Sequence, residues 1–138
     1  YRIVTEVRKT SDPEDFSIDA GKTTSIRREL AAPGTLSVQV RDEMVNGFGV
    51  AHGGIVFSLA DSALAFASNA QGRIALSIEN GISYPASARP GDTLTALASE
   101  ESATNRLAFY QVRVTNQRDQ IVALFRGTVY RTNEEHPL

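Results

Sequence analysis

The alternation of apolar and polar positions divides the chain into strands on either side of one helix. Over residues 35–40, Leu36, Val38 and Val40 fall on one face, the period-two signature of a half-buried strand. Residues 23–30 read as a further strand, with Ala31-Ala32-Pro33-Gly34 as the turn between the two. Residues 53–72 behave differently, with one charge, Asp61, in twenty positions. From Ile55 to Ala67 the segment is rich in Ala and Leu, good helix formers. Its polar residues Ser58, Asp61 and Ser62 sit at i, i+3 and i+4, one narrow stripe. A helix apolar nearly all round is a buried helix. After Gly72 the period returns to two. Ile74, Leu76, Ile78, Ile82 and Tyr84 share one parity, and Gly81 within that run predicts a bulge or a close backbone approach. Arg89-Pro90-Gly91-Asp92 is a turn, and strands follow over 93–99, 107–114 and 121–130, the last two joined by a hairpin connection over 115–120. Two strands, one long helix and four strands predict an α+β fold, one curved antiparallel sheet of five to six strands wrapped around a central helix. Residues 1–22 are polar. Asp12-Pro13-Glu14-Asp15 reads either as a helix start or as a loop, so 1–22 form an extension or short helix, 23–132 the domain, and 133–138 a tail.

Composition narrows the chemistry. The 138 residues carry no cysteine, which excludes disulfides, thiolate nucleophiles and Cys-ligated metals, and only two histidines, so no metal site is expected. A formal charge of −2 lacks the basic footprint that nucleic-acid binding needs. The apolar stretch at 53–72 would be long enough to span a bilayer. A central carboxylate opposes insertion by about 2.5–3.5 kcal/mol, so no membrane association is expected. No charged start followed by an apolar run marks a signal peptide, and a cytoplasmic location is expected.

The chemistry concentrates in Asn46-Gly47-Phe48-Gly49-Val50-Ala51-His52-Gly53-Gly54 and in Asp61. Gly53-Gly54 opens the helix, where unpaired N–H groups and a partial positive charge face outward. Glycines leave that backbone open to a ligand oxygen, the arrangement of an oxyanion hole. The same pair also serves as a plain turn or packing feature. Asp61 is unfavourable inside an apolar helix unless it is paired or functional. Burial raises a carboxyl pKa toward the range of a general base; satisfaction by Ser58 or Ser62 is the other reading. His52 is either a ligand contact or a packing residue at the helix start. Gly53 and Asp61 are eight residues apart, about 12 Å along a helix. One carbonyl cannot accept from Gly53 while Asp61 of the same chain attacks its carbon. If both serve one site, they come from two subunits, with antiparallel helices at a twofold interface.

The run from Asn46 to Gly54, followed by Leu59-Ala60-Asp61-Ser62-Ala63, resembles the phenylacetic acid degradation (PaaI-type) thioesterases of the hotdog superfamily. The likeness continues through Ser77, Tyr84-Pro85, Pro90-Gly91-Asp92 and Val122-Ala123-Leu124-Phe125-Arg126-Gly127, covering about residues 24–131. It implies a hotdog fold, homodimers with shared sites that pair into tetramers, and hydrolysis of an acyl-CoA thioester, with aromatic acyl groups such as phenylacetyl favoured. No cofactor is implied, since coenzyme A belongs to substrate and product. Carried over, Gly53 N–H polarises the carbonyl, Asn46 positions carbonyl or water, and His52 contacts the thioester end. Asp61 of the partner subunit is base or nucleophile, and Ser77 holds the water. Gly54 and Tyr84 fall in the substrate-binding region, and Arg89, Arg106 and Arg131 are the candidates for the CoA phosphates. Phe48 stands where many relatives have His; it cannot donate a hydrogen bond and would offer an apolar wall to the acyl group instead. Over residues 1–22 the family has a short helix. Two other functions fit the same residues: an acyl-CoA-binding module, which has no need of Asp61, and a hotdog dehydratase or hydratase, which would use His52.

Overall fold

Helix α1 spans Gly53–Asn69, and its buried side chains are Val56, Leu59, Ala60, Ala63, Leu64 and Ser68. Their spacing repeats every three to four residues, so one side of α1 lies wholly against the sheet. The computed structural model describes residues 7–9, 15–18, 24–28, 34–70 and 72–136, with side chains for 34–70 and 72–136. Its strands are β1 (Val7–Lys9), β2 (Asp15–Ile18), β3 (Thr24–Arg28), β4 (Thr35–Gln39), β5 (Arg73–Ser83), β6 (Thr93–Ala103), β7 (Leu107–Thr115) and β8 (Ile121–Glu135). They form one antiparallel sheet in the order β1-β2-β3-β4-β6-β7-β8-β5. The strands β4, β6, β7, β8 and β5 curl around α1; β1 to β3 extend the sheet beyond β4.

The helix-facing side of each strand follows the period-two pattern: Leu36 and Val38 on β4, Leu94, Ala96 and Ala98 on β6, Ala108, Tyr110, Val112 and Val114 on β7, Phe125 and Val129 on β8 are all buried. Phe57 of α1 meets Phe125 edge to face, centroids 5.4 Å apart. Each large side chain so buried contributes roughly 1.5–3 kcal/mol. Alanines under the helix let α1 sit close to the strands.

Of the segment 12–15, read as a helix start or a loop, 12–14 lie outside the described residues and Asp15 opens strand β2. Two expectations change. The segment 133–138, expected as a tail, begins as sheet, since β8 runs to Glu135 opposite Arg73 and the His136 N–H donates to the Gly72 carbonyl at 2.8 Å. Gly81 marks no bulge; it pairs in register with Arg126, and a Cβ there would meet nothing. The β5–β8 register shifts between Arg73 and Ala75 and, as a bulge, between Ser77 and Glu79, opposite Val129 and Thr128. This bulge bears on the face of the strand. It breaks the single apolar parity of β5: Leu76 and Ile78 are exposed (57% and 59%), while Ile82 packs against the core. No helix among the described residues is long and apolar enough to cross a membrane.

Candidate active site

The turn into α1 is built by its own backbone. Val45 and Ala51 bridge, the Asn46 N–H donates to the Val50 carbonyl, and the His52 N–H donates to the Met44 carbonyl. Asn46 Oδ1 accepts from the Phe48 N–H at 2.9 Å and the Val50 N–H at 3.5 Å. Asn46 thus shapes the loop whose tip is Phe48, which is 90% exposed. His52 is the N-cap: its Nδ1 accepts from the Gly54 N–H at 3.0 Å, and its carbonyl accepts from the Ile55 and Val56 N–H groups. A helix start leaves its first amides without intrahelical partners. His52 takes the Gly54 amide, so among the described residues Gly53 supplies the first amide without a partner. That fixes the neutral His52 tautomer with its proton on Nε2, and it removes Gly54 as a donor to a ligand.

Tyr84 closes the other side of this turn. Its hydroxyl donates to the Gly53 carbonyl at 2.8 Å. A Cβ on Gly53 would lie 3.1 Å from the Tyr84 ring and hydroxyl, so any side chain there obliges the ring to give by a few tenths of an ångström. Burial pushes the Tyr84 hydroxyl pKa up, keeping it a neutral donor.

The carboxylate sits further along α1. Asp61 is half-buried, and burial raises its pKa, partly opposed by a hydrogen bond from Asn80. Asn80 Nδ2 donates to Asp61 Oδ1 at 3.0 Å, and Ser77 Oγ donates to Asn80 Oδ1 at 2.8 Å. The partner of Asp61 is therefore an amide on β5. Of the two serines that the alternative reading offered as partners, Ser58 instead donates to the Gly54 carbonyl at 2.8 Å. Sequence reading named Asp61 and Ser77 but not Asn80, to which both are hydrogen-bonded. Nothing in β5 alone signals it, because Asn80 shares a face with Ser77 only across the bulge in the pairing with β8.

The structure therefore gathers two groups. Asn46, Phe48, His52, Gly53, Gly54 and Tyr84 cluster at the helix start, whereas Asp61, Asn80 and Ser77 form a chain at its middle. They stay apart within one protomer.

The three arginines separate. Arg131, whose side chain is 16% exposed, pairs with Glu100 Oε2 at 2.8 Å, and the same oxygen accepts from the Tyr110 hydroxyl at 2.7 Å. Burial, and next the Glu100 carboxylate, push the Tyr110 pKa up to about 12. This network engages the Arg131 guanidinium internally. Arg106 donates to Asn133 Oδ1 at 2.7 Å and lies 6.0 Å over the Tyr130 ring. Arg89 is exposed on a turn that Gly91 (φ 90°) allows, closed by the Asp92 N–H on the Arg89 carbonyl at 3.0 Å. Asp92 Oδ2 accepts the Arg89 N–H at 2.9 Å, which fixes the turn from its other side.

Comparison with known proteins shows the family of the chain. A Thioesterase superfamily profile matches residues 48–123, more than half of the chain. The acyl-coenzyme A thioesterase PaaI of Escherichia coli is 38% identical over 96 residues, 70% of this chain and 69% of that protein. A protein of Archaeoglobus fulgidus named as an esterase is 47% identical over 98 residues, 71% of this chain; the chain spans only 64% of that relative. The E. coli PaaI structure superposes with a TM-score of 0.72 at 36% identity, covering 75% of this chain and 76% of the other. A Streptococcus mutans protein solved with acetyl CoA gives a TM-score of 0.71 at 30% identity, covering 74% and 82%. The chain therefore belongs to the thioesterase superfamily and, within it, to the PaaI-type enzymes built on the hotdog fold.

Proposed function

We propose that two copies of this chain together hydrolyse acyl-CoA thioesters, with aromatic acyl groups such as phenylacetyl or hydroxyphenylacetyl favoured. The observation that carries this reading is Asp61: a half-buried carboxyl on an otherwise apolar helix, with raised pKa and one oxygen held by Asn80. The carbonyl oxygen of the thioester accepts from the Gly53 N–H, where the helix N-terminus favours the developing negative charge. Asp61 of the partner subunit takes a proton from water, whose oxygen bonds to the carbonyl carbon. The tetrahedral intermediate then expels CoA as its thiolate, which recovers the proton, leaving free acid and Asp61 ionised. Asp61 as a nucleophile, forming an anhydride that water opens, conserves the same atoms. Ser77 supplies a hydroxyl beside this chemistry, and Phe48 an apolar wall for the acyl group.

Support for a shared site comes from the sheet edge. β5 is a terminal strand, and Leu76 and Ile78 on it are exposed. An apolar edge strand invites pairing with a second chain. A second β5 would extend the sheet and bring the Asp61 group of one copy toward the Gly53 end of the other. The CoA part of the ligand is supported by the S. mutans relative bound to acetyl CoA. The aromatic preference is supported by the E. coli relative, whose structure is described as coming from the phenylacetic acid degradation operon. Arg89 and Arg106 are proposed for the nucleotide phosphates on the resemblance; Arg131 is held by Glu100.

The test is thiol release from phenylacetyl-, hydroxyphenylacetyl-, benzoyl-, short-chain and long-chain acyl-CoA. Release is expected, fastest with an aromatic acyl group, and kcat is expected to fall at least ~10²-fold in Asp61→Asn. Binding without release from any substrate would overturn hydrolysis in favour of an acyl-CoA-binding module.

A further inference from the structure

Asn80 is the one polar side chain in direct hydrogen-bond contact with Asp61 among the described residues, and its setting is built for that contact. Ser77 and Asn80 are three residues apart. In a regular strand they would point to opposite sides of the sheet. The bulge between Ser77 and Glu79 absorbs one residue, so Ser77 (opposite Val129) and Asn80 (opposite Gly127) both face α1. The strand irregularity is thus what makes the Ser77–Asn80–Asp61 chain geometrically available.

Gly127 provides the room. A Cβ there would lie 2.8 Å from Asn80 Oδ1 and would also collide with Leu64 Cδ2. Any side chain at 127 would displace the amide. Ser77 then decides which way the amide faces. Its hydroxyl donates to Oδ1, which turns Nδ2 toward Asp61 Oδ1. The reversed amide would set its carbonyl oxygen against a carboxylate, two acceptors without a proton between them.

We infer that Asn80 is a positioning residue: oriented by Ser77 and housed over Gly127, its amide clamps one oxygen of Asp61, leaving the other to face the attacking water. Its effect on rate rests on the thioesterase reading above; the clamp itself does not. The helix-facing charged groups of the neighbouring strands are Glu100 on β6 and Arg131 on β8, with the Tyr110 phenol on β7, and these three bond to one another. Across the described residues, burial and Asn80 are the influences that set the Asp61 carboxyl. The hydrogen bond favours the ionised form, so its removal raises the pH at which Asp61 ionises.

The experiment compares wild type, Asn80→Ala and Ser77→Ala by carbon-13 titration of the Asp61 side-chain carboxyl and by the pH profile of kcat. In Asn80→Ala the carboxyl is expected to titrate at higher pH and the acidic limb of kcat to move with it. The value of kcat is expected to fall about 10- to 100-fold, with KM within about twofold. Ser77→Ala is expected to move the titration the same way by less. An Asp61 titration unchanged in both variants would overturn the clamp. A shifted titration with unchanged kcat would overturn the positioning role. If wild type turns over no acyl-CoA, the proposed reaction fails, and the titration still decides whether the clamp exists.

Discussion

At the residue scale, Asp61 carries opposing demands. Its burial disfavours charge, yet a base or nucleophile must be ionised to act, and the Asn80 hydrogen bond reconciles the two in part. The stability consequence has a definite sign. A carboxyl whose pKa is raised on folding holds its proton more tightly in the native state. Its contribution to stability therefore falls as pH rises from the ordinary value of 3.8 through the raised one. Asp61→Asn removes that charge. Thermal melting should show the variant at equal or higher Tm than wild type at pH 7, with the gap closing on acidification toward pH ~4. A variant melting clearly below wild type at pH 7 would show that the charge is structurally required. Gly53 permits a complementary test. It is the first residue of α1, a position that tolerates proline, and His52 before it is extended (φ −61°, ψ 131°), as a pre-proline residue must be. Gly53→Pro deletes the one amide proposed to polarise the carbonyl. Its kcat should fall about 10²–10³-fold with helix content retained by circular dichroism. Undiminished turnover would remove Gly53 from the reaction.

At the element scale, α1 and its start were legible in the sequence because a nearly charge-free run flanked by Gly-Gly admits few other structures. The strands were legible from their alternation, as in Leu36 and Val38. The bulge was not, because a bulge is a property of pairing: β5 slips against β8, and nothing in β5 alone locates the slip at Ile78. Asn80 was missed for the same reason, since its face depends on that slip. Arg131 was read as a phosphate candidate because no local pattern announces Glu100, thirty-one positions away. Gly127 ties these elements together. Gly127→Ala forces its methyl into Leu64 and Asn80 at once. Overpacking of this kind typically costs about 1–3 kcal/mol, readable as a lower midpoint in urea. The same methyl displaces the Asp61 clamp, so kcat should fall as well. An alanine variant with wild-type midpoint and rate would show that the sheet yields at this point.

At the scale of the whole molecule, the proposed reading gives a single protomer two half-sites, and among the described residues β5 is a terminal strand with exposed apolar side chains. The N-terminal half-site holds Gly53, His52 and Tyr84; the other holds Asp61, Asn80 and Ser77. Pairing of β5 with a second β5 would cover Leu76 and Ile78 and complete both sites together, so assembly and activity should fail together. Replacing both residues, Leu76→Lys with Ile78→Lys, removes burial worth roughly 1.5–3 kcal/mol per side chain and sets like charges across a twofold axis. Sedimentation should show self-association weakened about 10²-fold or more, with thiol release lost in proportion to dimer. A monomer that retains full activity would contradict a site shared between copies.

The most direct measurement is complementation between two inactive variants. Gly53→Pro and Asp61→Asn are mixed, dissociated, reassociated, and assayed for thiol release from the best acyl-CoA substrate. In a heterodimer one site would lose both groups and the other would keep both. Random pairing makes half the dimers mixed, so activity should return to about one quarter of wild type. No recovery in verified heterodimers would contradict a site built from Gly53 of one protomer and Asp61 of its partner.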